Sequence, residues 1–318
     1  LTPHLLMTRQ LPDRVIAEAR TRFAVTVREE TTPLTEAEAA AALAAHDAIL
    51  PTLGDAFTAA VFAANPAPRA RILANFGAGF NHIDVAAARA AGVAVTNTPG
   101  TVTEATADIA LTLMLMAARR AGEGERLVRA GLWEGWHPTQ LLGRPVSGKR
   151  VGLVGYGRIG RAIARRCHFG FGMEVVYHTR SPVADPGLPA RAAATLHEVM
   201  AADFVVVAVP GGAATRHLID AAALAAMPAH GILVNIARGD VVDEAALIEA
   251  LAAGRIAAAG LDVYEFEPKV PEGLLALENA VLLPHLGTAA LEVREAMGLM
   301  AVQNLVAFLD GADLPNAV

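Results

Sequence analysis

The stretch Val151-Gly-Leu-Val-Gly155-Tyr-Gly157-Arg-Ile-Gly160-Arg161 limits what this chain can fold into more than any other. Apolar residues lead into Gly155-x-Gly157-x-x-Gly160, and a helix-forming run at 161–166 follows without a break. Strand, glycine turn and helix in that order suit a bound dinucleotide. The first glycine permits a tight turn, the second lets a pyrophosphate approach the backbone, and the third lets helix and strand pack closely. The helix N-terminus adds free N–H groups and a partial positive charge. In a chain with 28 glycines the spacing alone carries little weight, so the flanking strand and helix carry the inference. Gly155, Gly157, Arg158 and Ile159 are the expected phosphate contacts.

Short apolar runs at 5–7, 25–27, 48–50, 72–76 and 93–96 read as strands, with helical segments at 11–23, 35–46 and 84–91 between them. A second alternating series begins at Val151, with strands at 151–154, 174–177, 204–209, 232–236, 258–261 and 281–283. Strands alternating with helices imply α/β architecture, a parallel sheet covered on both faces. The six later runs match a doubly wound, Rossmann-type domain. Asn97-Thr-Pro99-Gly100 marks a boundary. After it, Thr101-x-x-Glu104 has capping-box spacing ahead of a helix expected over 103–120. The stretch 121–148 reads as irregular, with Trp133 and Trp136 close together. A last helix at 291–309 is expected to pack back on the first domain.

A length of 318 residues accommodates two domains, and 54% hydrophobic with 18% charged residues describes a compact chain. A net charge of −6 without a Lys/Arg cluster gives no nucleic-acid surface. The longest apolar run, 109–118, is too short to cross a bilayer, so no membrane partner is expected. No basic start followed by a long apolar block suggests an export signal. The one cysteine, Cys167, excludes an intrachain disulfide and a cysteine zinc cage, which points to the cytoplasm. No metal site is expected. Cys167, inside a helical run, reads as a small buried filler before it reads as a reactive thiol.

The strand after the glycine turn ends at Tyr177-His-Thr179-Arg180-Ser181. An acidic residue here would accept hydrogen bonds from the adenosine ribose and repel a 2′-phosphate. There is none. Thr179, Arg180 and Ser181 offer hydroxyls and a guanidinium instead, which favours NADP(H), with NAD(H) as an alternative cofactor. On the plainer reading Arg180 is a solvated loop residue that biases nothing.

Three later segments end expected strands with a polar group: Arg238 in Asn235-Ile-Ala-Arg-Gly-Asp240, Glu267 in Asp262-Val-Tyr-Glu-Phe-Glu267, and His285 in Pro284-His-Leu-Gly287. Ligands of open parallel sheets sit beyond the strand carboxyl ends. Arg238 suits a substrate carboxylate, His285 a proton donor, and Glu267 a partner that orients the ring and favours its charged form. Each also has a structural reading: Arg238 as a strand cap, Glu265 and Glu267 as solvated loop, and His285 as a packed histidine beside proline.

Read together, these segments resemble the D-isomer-specific 2-hydroxyacid dehydrogenase family, and closely its glyoxylate/hydroxypyruvate reductase branch. Further matching stretches are Asn75-Phe-Gly-Ala-Gly-Phe-Asn-His-Ile-Asp84, Thr96-Asn-Thr-Pro-Gly100, Glu104-Ala-Thr-Ala-Asp108 and Asn235-Ile-Ala-Arg-Gly-Asp-Val-Val-Asp-Glu244. The resemblance implies a Rossmann-type cofactor domain, 100–286, inserted into a flavodoxin-like substrate domain, 1–99 with 287–318, and a cleft between two doubly wound domains. It implies NAD(P)H-dependent reduction of a small 2-oxo acid to the D-2-hydroxy acid. It assigns substrate binding to Leu53, Gly77, Ala78, Gly79 and Arg238. Cofactor contacts fall on Thr106, Val209, Pro210, Ile236, Asp262, His285 and Gly287 besides the glycine turn and Thr179–Ser181.

Trp133-Glu-Gly-Trp136 resembles an arm between subunits of a homodimer, although two ordinary interface or core tryptophans fit as well. Segment 167–172 is about one residue longer than the family pattern. Glu267 argues against a formate dehydrogenase, which carries glutamine there. D-lactate-, phosphite- and 3-phosphoglycerate-type dehydrogenases keep the Arg/Glu/His set and remain alternatives, as does a nicotinamide-sensing co-repressor-like module.

Overall fold

The computed structural model describes residues 2–318. Twelve strands among them form two all-parallel sheets in two compact units. The first unit joins the described residues up to Val102 with Thr288–Val318. Its strands are β1 (His4–Met7), β2 (Ala24–Val27), β3 (Ala48–Leu50), β4 (Ile72–Ala74) and β5 (Ala94–Thr96), in the order β2-β1-β3-β4-β5. This is the flavodoxin-like order, which reverses between β1 and β3. Alternate residues serve opposite faces: Leu5, Met7, Leu50 and Ile72 on one, Leu6, Ile49 and Leu73 on the other. The C-terminal helix Leu291–Leu309 packs on helix Asp13–Arg20 of this unit. Its Gly298 is the point of closest approach, since a Cβ there would lie 2.5 Å from Val15 Cγ2.

The second unit, Thr103–Gly287, holds β6 (Arg150–Val154), β7 (Glu174–His178), β8 (Ala190–Ala192), β9 (Phe204–Val207), β10 (Ile232–Asn235), β11 (Ala258–Leu261) and β12 (Ala280–Leu282). Their order is β12-β11-β10-β9-β6-β7-β8, a doubly wound sheet that reverses between β6 and β9. Val151, Leu153, Phe204 and Val206 fill one face; Val205, Val207 and Leu233 fill the other.

Three local expectations change. The sheet has seven strands rather than six, because Ala190-Arg-Ala192 adds an edge strand with no apolar run to announce it. Residues 121–129 are not irregular. Arg120 turns left-handed at φ 52° and ends the helix Thr103–Arg119, and a new helix, Ala121–Arg129, starts at once. Arg120 also pairs with Glu123 at 2.7 Å, while Glu125 pairs with Arg129 one turn on. The capping box at Thr101 does not form either. The helix begins at Thr103, Thr101 Oγ1 is buried without a hydrogen bond, and Glu104 instead pairs with Arg166 at 2.8 Å.

The segment 167–172, expected to run about one residue longer than the family pattern, coincides with a π-helical turn: helix Arg158–Arg165 runs directly into Arg166–Gly170. Within it Cys167 is fully buried and desolvation pushes its thiol up to about 12, so it is the expected inert filler. No helix among the described residues is long and apolar enough to cross a membrane.

Candidate active site

The glycine turn lies at the end of β6, where the sheet order reverses against β9. Open α/β sheets leave a crevice beyond the strand ends at such a point. Gly155 has φ 98°, and a Cβ on it would sit 2.5 Å from Ala208 O. A Cβ on Gly160 would sit 2.4 Å from Gly155 O. Packing alone therefore requires glycine at both positions. Gly157 differs. Its backbone is ordinary, at φ −78° and ψ −161°, and an added Cβ would meet nothing within 4 Å. The protein leaves that space open at the start of helix Arg158–Arg165, whose first turn no side chain caps. Unfilled space beside orphan N–H groups fits a pyrophosphate.

The other expected cofactor residues follow the same edge of the sheet. Thr179 is half-buried just past β7, and Arg180 and Ser181 are exposed. Asp185 is the one acid in the loop that follows, and its carboxylate accepts a hydrogen bond from Gly187 N at 2.7 Å. Val209 and Pro210 follow β9, and Ile236, buried, follows β10.

Arg238, Glu267 and His285 follow β10, β11 and β12, on adjacent strands. His285 Nδ1 lies 2.9 Å from Glu267 Oε2. No hydrogen bond to its Nε2 occurs among the described residues, and the side chain is 29% exposed, so that nitrogen stays available to a ligand. Glu267 Oε1 accepts the Tyr264 N–H at 3.1 Å. Burial pushes the Glu267 carboxyl up, but His285, the Tyr264 N–H and the Arg238 charge together outweigh it and leave the pKa below its ordinary value. Burial draws the Arg238 guanidinium below its usual value against the pull of Glu267 and Asp240. A ring tethered to a carboxylate at one nitrogen and open at the other is equipped to give or take a proton. Of the two nearby glutamates only Glu267 meets His285; Glu265 pairs with Arg216 at 2.7 Å and His217 at 3.2 Å.

His285 has a left-handed backbone, φ 54°, uncommon for a side-chain-bearing residue. Asp262 sustains it. Its carbonyl accepts His285 N at 2.9 Å, Oδ1 accepts Leu286 N at 2.6 Å, and Oδ2 accepts Gly287 N at 2.8 Å. Asp262 is 1% exposed, and burial raises its pKa although the two N–H groups and His285 oppose it. Thr106 Oγ1 donates to Gly287 O at 3.2 Å. Thr106, Asp262 and Gly287 thus form one cluster beneath the histidine loop.

Two residues that the sequence reading gave no role shape the arginine side. Asn235 Nδ2 donates to Arg238 O at 2.9 Å, and its Oδ1 accepts Ala237 N at 3.0 Å. Gly239 crosses so close to the next loop that a Cβ would fall 1.8 Å from Tyr264 C. Their adjacency to Arg238 in Asn235-x-x-Arg238-Gly239 was the available signal.

In the first unit, Gly77-Ala78-Gly79 follows β4. Asn75 Nδ2 donates to the carbonyls of Gly77 and Gly79 at 3.0 Å each, and Asn97 Nδ2 to that of Ala78 at 2.8 Å. In a trans peptide the N–H points opposite to the carbonyl. The N–H groups of Ala78, Gly79 and Phe80 are therefore turned away from these donors, a loop arrangement fixed by two side chains. Asn75 and Asn97 are the residues that set it, and sequence reading assigned them nothing. Leu53, 39% exposed, lies past β3 with its carbonyl held by Arg9 at 2.9 Å. Trp133 and Trp136 are 52% and 80% exposed, which removes the core reading for both.

Residues 111–287 match the family model described as D-isomer specific 2-hydroxyacid dehydrogenase, NAD binding domain. The glyoxylate reductase of Thermococcus onnurineus is 42% identical over 324 aligned residues, covering 100% of this chain and 96% of that protein. The glycerate dehydrogenase of Hyphomicrobium methylovorum is 36% identical over 99% of this chain and 98% of its own length. Among solved structures, the NADPH-dependent glyoxylate/hydroxypyruvate reductase of Sinorhizobium meliloti, in complex with NADP and malonate, superposes with a TM-score of 0.86 at 38% identity, covering 100% of this chain and 97% of that one. With the fold, glycine turn and Arg/Glu/His set, these matches establish that the chain belongs to the D-isomer-specific 2-hydroxyacid dehydrogenase family, in its glyoxylate/hydroxypyruvate reductase branch, and is an NAD(P)-dependent oxidoreductase.

Proposed function

We propose that the protein reduces glyoxylate or hydroxypyruvate to glycolate or D-glycerate, preferring NADPH to NADH. The observation that carries the reading is the 2.9 Å His285–Glu267 pair with the second ring nitrogen left open. When bound, the reduced nicotinamide supplies a hydride to the 2-carbon. Arg238 holds the substrate carboxylate and polarises the 2-oxo group. The family resemblance assigns the substrate carboxylate to the N–H groups after Gly77 and a pocket wall to Leu53. His285 delivers a proton from Nε2 to the carbonyl oxygen, while the Glu267 charge stabilises the imidazolium before transfer. The Gly155–Gly160 turn with Arg158 and Ile159 holds the pyrophosphate, and Thr179, Arg180 and Ser181 receive the 2′-phosphate. Val209, Pro210 and Ile236 line the cofactor, and Thr106, Asp262 and Gly287 support its nicotinamide end. Relatives named glyoxylate reductase, one of them called NADPH-dependent, support this choice of substrate and cofactor. Two chains form the working homodimer, in the cytoplasm.

The test is a panel of 2-oxo acids with each reduced cofactor, read as loss of the nicotinamide absorbance in the near ultraviolet. Turnover with glyoxylate or hydroxypyruvate, faster with NADPH, is expected; no oxidation with any acid overturns the proposal. His285→Ala lowers kcat by roughly two to four orders of magnitude. NADPH affinity, followed by nicotinamide fluorescence, falls far less than kcat, since the phosphate contacts stay in place. Near-normal turnover in that variant removes His285 from the reaction.

A further inference from the structure

Tyr156, between Gly155 and Gly157, takes no part in the steps above, yet it is buried at 4% exposure and bound on three sides. Its ring stacks on Tyr177, with centroids 4.1 Å apart and planes 21° from parallel. The Arg161 guanidinium lies 5.1 Å from its centroid. Its hydroxyl donates to Pro186 O at 3.0 Å. Arg161 continues to the neighbouring residue, donating to Asp185 O at 2.6 Å, and Asp185 closes onto Gly187 N at 2.7 Å. Two tethers, from Tyr156 and Arg161, therefore reach residues 185–186, and Asp185 ties these to Gly187. Residues 185–187 close the loop that leaves β7 at Thr179, Arg180 and Ser181 and returns at β8.

We propose that Tyr156 is a positioning residue for cofactor choice: by fixing residues 185–187 it holds the Thr179–Ser181 segment in place to receive the 2′-phosphate of NADP(H). This rests on the reading of Thr179–Ser181 as the 2′-phosphate ligands. Arg180 is exposed and makes no hydrogen bond among the described residues, so its own contacts do not order it. Order reaches it through the backbone, and the loop's far side is where that order is imposed. A loop already ordered loses less entropy when it binds an anion. One residue thus couples the pyrophosphate turn, through its backbone, to the 2′-phosphate loop, through its hydroxyl. Phenylalanine would fill the stack on Tyr177 equally well; only the hydroxyl reaches Pro186.

The experiment measures binding of adenosine 2′,5′-bisphosphate and of 5′-AMP by calorimetry, for the wild type, Tyr156→Phe and Arg180→Ala, with hydrogen exchange followed over residues 183–188. Tyr156→Phe weakens the bisphosphate by roughly three- to tenfold, the span of one lost hydrogen bond. It leaves 5′-AMP unchanged and speeds exchange in the loop. Arg180→Ala weakens the bisphosphate selectively and more strongly, as expected for loss of a charge-assisted contact. Unchanged bisphosphate binding by Tyr156→Phe beside a weakened Arg180→Ala overturns the positioning role and leaves the cofactor reading standing. Equal weakening of both ligands by Tyr156→Phe also overturns it, as general damage to the turn. An Arg180→Ala protein that binds the bisphosphate normally removes the reading on which the proposal rests.

Discussion

Desolvation favours the protonated form of a partly covered carboxylate such as Glu267, and here it does not prevail. His285, the Tyr264 N–H and Arg238 outweigh desolvation, so its pKa falls below the usual carboxylate value. The sign follows from that direction. The group is ionised throughout neutral pH, and the stability it contributes is present above the unfolded carboxylate pKa and lost as pH falls through the lower folded value. Glu267→Gln keeps the shape and removes the charge. We expect kcat to fall about ten- to a hundredfold, the worth of a hydrogen bond to a charged group. Steady-state kinetics of the wild type and the variant with one 2-oxo acid and NADPH read this directly, and equal kcat in the two would show that the carboxylate charge is irrelevant. Arg238, Glu267 and His285 were legible because each stands at a strand end with a chemistry-bearing side chain. The residues that hold them were not. Asp262 grips backbone N–H groups more than twenty positions on, and Asn97 reaches Ala78 across nineteen. Such bonds exist only once strands distant in sequence lie side by side.

Along the element that begins at β6, three glycines share a motif but not a cause. Gly160→Ala puts a Cβ 2.4 Å from Gly155 O, backbone that cannot swing aside. Overpacking of that kind costs about 1–3 kcal/mol, or more, and lowers Tm. Gly157→Ala meets no atom within 4 Å and keeps an ordinary backbone. That variant should melt like the wild type while its NADPH affinity drops by at least about tenfold, the equivalent of 1.4 kcal/mol. Thermal melts paired with cofactor titration separate the two. A destabilised Gly157→Ala protein, or one binding NADPH normally, contradicts the view that the space is kept for phosphate. Element boundaries were legible where a sharp compositional edge coincides with the fold. The strands at 48–50 and 258–261 and the helix at 291–309 lie where the apolar runs placed them. They were illegible where tertiary context decides. Ala190-Arg-Ala192 is a strand only because β7 offers an edge, and Ala121–Arg129 is a helix despite glycines at 122 and 124.

For the molecule as a whole, alternating strands and helices announced two parallel sheets, but not the point at which each order reverses, because strand neighbours are chosen by packing after the local pattern is fixed. One large-scale property remains on the surface of the second unit. Val128, Leu132, Trp133, Trp136 and Leu142 are 58%, 67%, 52%, 80% and 66% exposed within fifteen residues of chain. Monomers rarely leave so much large apolar surface in water, and aromatic anchors of this kind dominate the energy of association. The charged groups on the preceding helix, Glu125 with Arg129 and Arg126 with Glu278, are paired within the chain and offer little repulsion to a second copy. Sedimentation equilibrium of the wild type at micromolar concentration should therefore report twice the chain mass. Trp133→Ser combined with Trp136→Ser should raise the dimer dissociation constant by a hundredfold or more, since two interface anchors at about 2 kcal/mol each exceed that factor. The melting temperature of the wild type should rise with protein concentration, as association demands, and that of the double variant should not. A wild type that sediments at one chain mass, with a melting temperature independent of concentration, would remove the homodimer from the proposed function and leave this apolar surface to a different partner.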